Sequence, residues 1–164
     1  MQMKEAGIDV ALFQYWGLHS SHEFDVNASG YSHKTLPLFL EAAARVGIKV
    51  AVIISPYAGR NLNTTLGDLR RMKSRFGKHS AYLKFGESPV VAVYETHSIP
   101  GLEDHLEEFS DMTLFTSIVD EEHFYKGQED GFMGVLGFFA KERLTWGSTS
   151  SHKRKAVSEG EDCC

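Results

Sequence analysis

The chain has 164 residues, 42% hydrophobic and 24% charged, with a formal net charge of −5, the composition of an ordinary globular domain. That charge argues against a nucleic-acid-binding face, and no run reaches the roughly 18 apolar residues of a membrane-spanning helix. The opening "MQMKEAGIDV" has no basic segment leading into an apolar one, so no signal peptide is expected.

Strand-like and helix-like runs alternate along the chain. "IDVALFQYW" (8–16) reads as a first strand, followed by a loop rich in Ser, His and Gly over 17–34. A helix is expected over 36–47, capped by Thr35, with Pro37 in its first turn and Gly47 ending it in the left-handed conformation. "IKVAVIISPY" (48–57) is a second strand, its apolar residues mostly β-branched. A second helix is expected over 65–76, with Thr65 and Asp68 as a capping box, a stripe of Leu66, Leu69, Met72 and Phe76, and Gly77 as its stop.

"PVVAVYETH" (89–97) is a third strand, and Leu102, Leu106 and Phe109 mark a third helix entered through Pro100. "MTLFTSIVDE" (112–121) is a fourth strand, a short helix over 121–128 follows, and "GFMGVLGFFA" (131–140) is a fifth. Near-continuous apolar strands between amphipathic helices predict an α/β domain with a parallel sheet, either doubly wound or a (β/α)8 barrel. Past Trp146 the apolar content falls away, so residues 1–147 are expected to form the domain and 148–164 a disordered polar tail.

Most catalytic motifs are missing. No strand is followed by a glycine-rich dinucleotide fingerprint or a Walker loop. Ser55 is a poor candidate nucleophile, because Pro56 has no amide to serve an oxyanion hole. His19, His22, Glu23 and Asp25 are metal ligands by type, but they read more simply as a solvated loop. Cys163 and Cys164 end the chain, leaving the body without a disulfide framework or a cysteine nucleophile. A terminal Cys-Cys can accept two prenyl groups in small GTPases, but nothing here resembles a GTPase, so a tail without a role is expected. Asn27-Ala28-Ser29 and Asn63-Thr64-Thr65 are glycosylation sequons that matter only in the secretory pathway.

The ends of the strands are richer. Tyr15 and Trp16 end the first, Tyr57 and Arg60 follow the second, and Tyr94, Glu95 and His97 end the third. Asp120 and Glu121 end the fourth, and Trp146 follows the fifth. In a parallel α/β fold these carboxyl ends share one side, where sites are built. Aromatic rings beside carboxylates suit a sugar, whose apolar face stacks on the ring while its hydroxyls bond the acid. Trp16, Tyr57, Arg60, Tyr94, Glu95, Glu121 and Trp146 are therefore the candidate substrate-binding residues, with no metal and no cofactor expected.

"GIDVALFQYWG", "AARVGIKVAVIISPYAGR", "RFGKHSAYLKF", "VVAVYETH" and "EDGFMGVLGFFAKERLTWGSTSSHK" resemble, in order and spacing, glycoside hydrolase family 99, the endo-α-1,2-mannosidases and endomannanases. The resemblance runs from about residue 2 to 153. It implies a (β/α)8 barrel, mannose-containing N-glycans as partners, cleavage with retention and a membrane-anchored location in the Golgi lumen; without an anchor, a complete chain would be cytoplasmic. It implies that this chain holds strands two to six of eight, without the Asn-Glu-Trp-His-Glu-Gly motif that carries the family's catalytic glutamates. No catalytic residue is therefore assigned.

The resemblance also implies three changed site positions. Where the family typically has His-Ile-Glu-Pro-Tyr, this chain has Ile53 to Tyr57, with serine at 55. Tyr-Asp-Ser-Tyr becomes Tyr94-Glu95-Thr96-His97, and Gly-Phe-Asp-Gly becomes Gly131-Phe132-Met133-Gly134. The expectation is an endo-α-1,2-mannosidase-like chain that is catalytically impaired, the alternative a non-enzymatic glycan-binding remnant or incomplete product. Exposed edge strands of a partial barrel are expected to promote self-association.

Overall fold

The computed structural model describes residues 2–18, 31–118 and 130–137. After a single helical turn, α1 (Gln2–Glu5), the chain alternates β1 (Val10–Tyr15), α2 (Tyr31–Val46), β2 (Lys49–Ile54) and α3 (Leu62–Arg71). A π-helical turn, Met72–Phe76, extends α3. There follow β3 (Lys84–Phe85), β4 (Ser88–Tyr94), 3-10 turns at Thr96–Ser98 and Glu103–Phe109, β5 (Thr113–Ile118) and β6 (Gly134–Gly137).

The main sheet is parallel, in the order β1-β2-β4-β5-β6. Each new strand is laid beside the last and the order never reverses. That is the winding of a barrel wall; a doubly wound sheet reverses at a switch point. The short β3 pairs antiparallel with β4, a hairpin the sequence reading did not anticipate.

Register divides the side chains between two faces. Ala11, Phe13 and Tyr15 align with Val50, Val52 and Ile54, which continue to Val91 and Val93 and then Leu114 and Thr116. This face meets the helices. Leu36, Leu40 and Ala43 of α2 and Leu66, Leu69, Met72 and Phe76 of α3 pack into the same core. Each of these leucine, methionine and phenylalanine side chains contributes about 1.5–3 kcal/mol on burial. The other face carries Leu12 and Gln14, Ala51 and Ile53, Ala92 and Tyr94, Phe115 and Ser117, then Gly134 and Leu136. It corresponds to the inside of a barrel.

Helix starts differ from expectation. α2 begins at Tyr31, so Thr35 is inside it and donates back to the Tyr31 carbonyl at 3.0 Å. Pro37 also lies inside, where it removes one helix hydrogen bond. The stop is as expected: Gly47 has φ +70°, and the Ile48 amide donates to the Ala43 carbonyl at 3.0 Å.

The capping box of α3 lies a turn earlier than expected. The Thr64 amide donates to Asn61 Oδ1 at 3.1 Å and the Asn61 amide to Thr64 Oγ1 at 2.9 Å. Thr65 and Asp68 are therefore helix-interior residues, both buried. Gly77 ends the π turn in a right-handed conformation. Its requirement is space, since a Cβ there would sit 2.7 Å from Pro89 Cγ and 2.8 Å from the Met72 carbonyl oxygen. The third helix is a 3-10 segment with Leu102 and Phe109 buried. The short helix over 121–128 and the polar tail over 148–164 lie outside the described residues.

Candidate functional site

The parallel register gathers the carboxyl ends of the strands on one side. Tyr94 aligns with Ser117, and Ser117 with Leu136. Ser55, one step beyond the Ile54–Val93 pair, falls in the same row. Ser55 and Ser117 are buried and Tyr94 is half-buried.

Directly after Tyr94 the backbone turns sharply. Glu95 has φ 48° and ψ 62°, and among the described residues it is the one non-glycine residue with positive φ. Its amide still donates to the Ser117 carbonyl at 2.7 Å, so the β4–β5 ladder runs into the turn. Its carbonyl accepts from the Ser98 amide at 3.0 Å and from Ser98 Oγ at 2.7 Å. One residue later, the hydroxyls of Thr96 and Thr116 meet at 2.8 Å in a buried pair.

Arg60 reaches this turn from the loop after β2. One guanidinium nitrogen donates to the Tyr94 carbonyl and another to Ser98 Oγ, both at 2.7 Å. Burial pushes the Arg60 pKa down, while Glu95, Tyr57 and Tyr94 favour its charged form. Arg60, Tyr94 and Glu95, chosen separately from sequence, thus form one cluster.

Tyr57 shares the loop with Arg60, whose amide donates to the Tyr57 carbonyl at 3.0 Å. Its hydroxyl turns away from the cluster and donates to Asp68 Oδ2 at 2.7 Å. Its ring lies against Gly17, where a Cβ would be 2.6 Å from Tyr57 Cζ. Burial raises the Tyr57 pKa. Asp68, with 2% of its side chain exposed, also pairs with Arg71 at 3.1 Å.

Trp16 follows Tyr15 at the carboxyl end of β1, with β2 between it and the β4 turn. Its amide donates to Ser32 Oγ at 3.0 Å, joining the end of β1 to the start of α2. It lines a cavity of about 500 Å³ with Leu12, Phe13, Tyr31 and Phe39, at the β1 end of the sheet. Glu121, Trp146 and the His19–Asp25 group lie outside the described residues.

Sequence reasoning missed Ser98, Ser117 and the Thr96–Thr116 pair. Ser98 had a signal, because a serine three residues after a strand-ending residue can close a turn through its hydroxyl. Tyr15 ends β1 as expected, with its ring buried in the core and its hydroxyl 3.1 Å from His33 Nδ1.

Comparison with known proteins agrees with this architecture. The profile of glycosyl hydrolase family 99 matches residues 1–159. Rat glycoprotein endo-alpha-1,2-mannosidase is 24% identical over 173 aligned residues, covering 96% of this chain and 37% of that protein. Human glycoprotein endo-alpha-1,2-mannosidase-like protein is 27% identical, covering 95% of this chain and 36% of that protein. This chain thus spans little more than a third of their length. The structure of the endo-alpha-mannosidase from Bacteroides thetaiotaomicron superposes with a TM-score of 0.73 at 20% identity, covering 97% of this chain and 47% of that one. With a family profile matched along nearly its whole length and a barrel-wall sheet to go with it, the chain belongs to glycosyl hydrolase family 99.

Proposed function

We propose that this chain is the glycan-recognising wall of an endo-α-mannosidase-like protein, binding mannose-containing N-glycans while being catalytically impaired by itself. The observation that carries the reading is the Arg60–Tyr94–Glu95 cluster at the carboxyl ends of the strands. The Tyr94 ring offers a stacking surface for an apolar sugar face, and the Glu95 carboxylate accepts hydrogen bonds from hydroxyls. Glu121 and Trp146 extend the proposed set on their sequence positions. The compartment proposed with this reading is the Golgi lumen, where such glycans are trimmed.

Impairment is supported by chemistry. Retaining glycoside hydrolysis commonly needs two carboxyl groups about 5 Å apart. Among the described residues Glu95 is the one acid at the carboxyl ends of the parallel strands, and serine occupies position 55.

The test titrates the chain with α-1,2-mannobiose by isothermal calorimetry and incubates it with a high-mannose glycan, reading products by mass. Binding that falls in Tyr94→Ala and Glu95→Gln, without release of saccharide, is the expected result. No binding, or binding unchanged in both variants, overturns it.

A further inference from the structure

The turn after β4 holds a side chain in a conformation that glycine would adopt at no cost. A left-handed backbone at a residue with a Cβ is disfavoured, and such strain concentrates where a side chain must be aimed. The Glu95 turn is tied down on every side. Its amide is held by Ser117, its carbonyl by Ser98, and the preceding carbonyl by Arg60. Arg60 is the long-range member, 34 residues from Tyr94 and 38 from Ser98 in sequence.

We infer that Arg60 is a positioning residue that acts through Glu95, stapling the Tyr94 carbonyl to Ser98 so that the turn keeps Glu95 in its left-handed conformation. The inference rests on the proposed role of Glu95 in glycan binding. Two of the guanidinium nitrogens are spent on the protein's own turn, so Arg60 serves the site from behind. Ser98 Oγ is a relay, accepting from Arg60 while donating to the Glu95 carbonyl. The fork is specific to arginine. A lysine ammonium is a single point and does not span a carbonyl and a hydroxyl in a fixed plane.

A double-mutant cycle on α-1,2-mannobiose binding tests this, using Arg60→Met, Glu95→Ala and the pair, with Arg60→Lys as the charge-conserving control. Each single change is expected to weaken binding about tenfold, the pair no more than either alone, and lysine not to rescue. Circular dichroism establishes that the variants fold. Additive losses, full rescue by lysine or unchanged affinity in Arg60→Met overturn the inference.

A ligand-free arm separates this failure from that of the binding proposal. Glu95→Gly is expected to raise the melting temperature by about 3 °C as strain is released. Arg60→Met is expected to speed hydrogen exchange at the Ser98 amide. If wild type binds no mannobiose, the function proposal falls. If exchange at the Ser98 amide is unchanged in Arg60→Met, the inference about Arg60 falls whether or not wild type binds.

Discussion

Tyr57 and Asp68 are bound hydroxyl to carboxylate at 2.7 Å, and the tyrosine ring occupies the space that a side chain at Gly17 would need. One residue thereby locks the segment leaving β1 to the loop leaving β2, with a buried acid on α3 as the anchor. Removing the hydroxyl takes a donor from a carboxylate that is almost wholly out of water. Tyr57→Phe is expected to destabilise the chain by about 1–3 kcal/mol in denaturant unfolding. Gly17→Ala should cost more, because it combines the clash with φ +75°. A loss below half a kcal/mol in both would show that the lock is not tight.

Alkaline pH attacks the same region through the tyrosines. Burial raises the pKa of Tyr15, Tyr57 and Tyr82 above the ordinary tyrosine value of 10.0. As pH passes that value, the unfolded chain releases these protons while the folded chain retains them. The unfolded state then binds fewer protons, so stability falls as pH rises. Their stabilisation is complete below pH 10 and lost above it. The tyrosinate absorbance of these three residues and the loss of ellipticity are expected to develop together in one cooperative step. Early absorbance from all tyrosines with ellipticity unchanged would contradict this.

Gly77 tests packing in place of protonation. A methyl group there meets Pro89 and the Met72 carbonyl, both on or beside regular structure. Gly77→Ala is expected to cost roughly 1–3 kcal/mol by overpacking, a loss that Gly86→Ala, with open space around it, would show only through its positive φ. Equal midpoint and slope for Gly77→Ala and wild type would refute the steric account.

These positions show what was legible in sequence. The strands were, because buried parallel strands carry long β-branched runs, and Val50 to Ile54 could hardly be anything else. Gly47 was, because a left-handed stop has few alternatives. Helix starts were not. Asn61 and Thr65 both precede apolar positions, and only packing decides that the helix begins a turn earlier. The cluster was half legible: Tyr94 and Glu95 were found because strand ends are marked by a change of polarity. What the sequence could not carry was direction. Tyr57 and Arg60 lie three residues apart, yet one points to Asp68 and the other to the Glu95 turn.

The β1 edge is the expected route to self-association. Among the described residues β1 pairs only with β2. It carries no charged residue or proline to blunt the edge. Val10 and Leu12 are 45% and 52% exposed, and Leu12 shares a cavity with Phe39 and Tyr31. Light scattering across a concentration series is expected to show association, and Leu12→Lys to shift it toward monomer. A monodisperse wild-type monomer with a cooperative melt would contradict this.

The last prediction concerns Ser55, where the family resemblance implies glutamate. Ser55 is buried, and its amide donates to the Tyr15 carbonyl at 2.9 Å, so the strand backbone is formed normally around the replacement. An acid there leaves that backbone bond in place, yet Ser55→Glu alone is expected to create no α-mannosidase activity. The family resemblance implies a catalytic glutamate pair separate from position 55, so on that reading the change supplies neither member. It adds a carboxylate to the wall that already carries Glu95, whereas retaining cleavage commonly uses two acids on either side of the scissile bond, one protonated and one ionised. The variant should change sugar affinity without producing saccharide from a high-mannose glycan. Release of a disaccharide by wild type, abolished by Glu95→Gln or Glu121→Gln, would show instead that these acids form a working pair and that the chain is an enzyme as it stands.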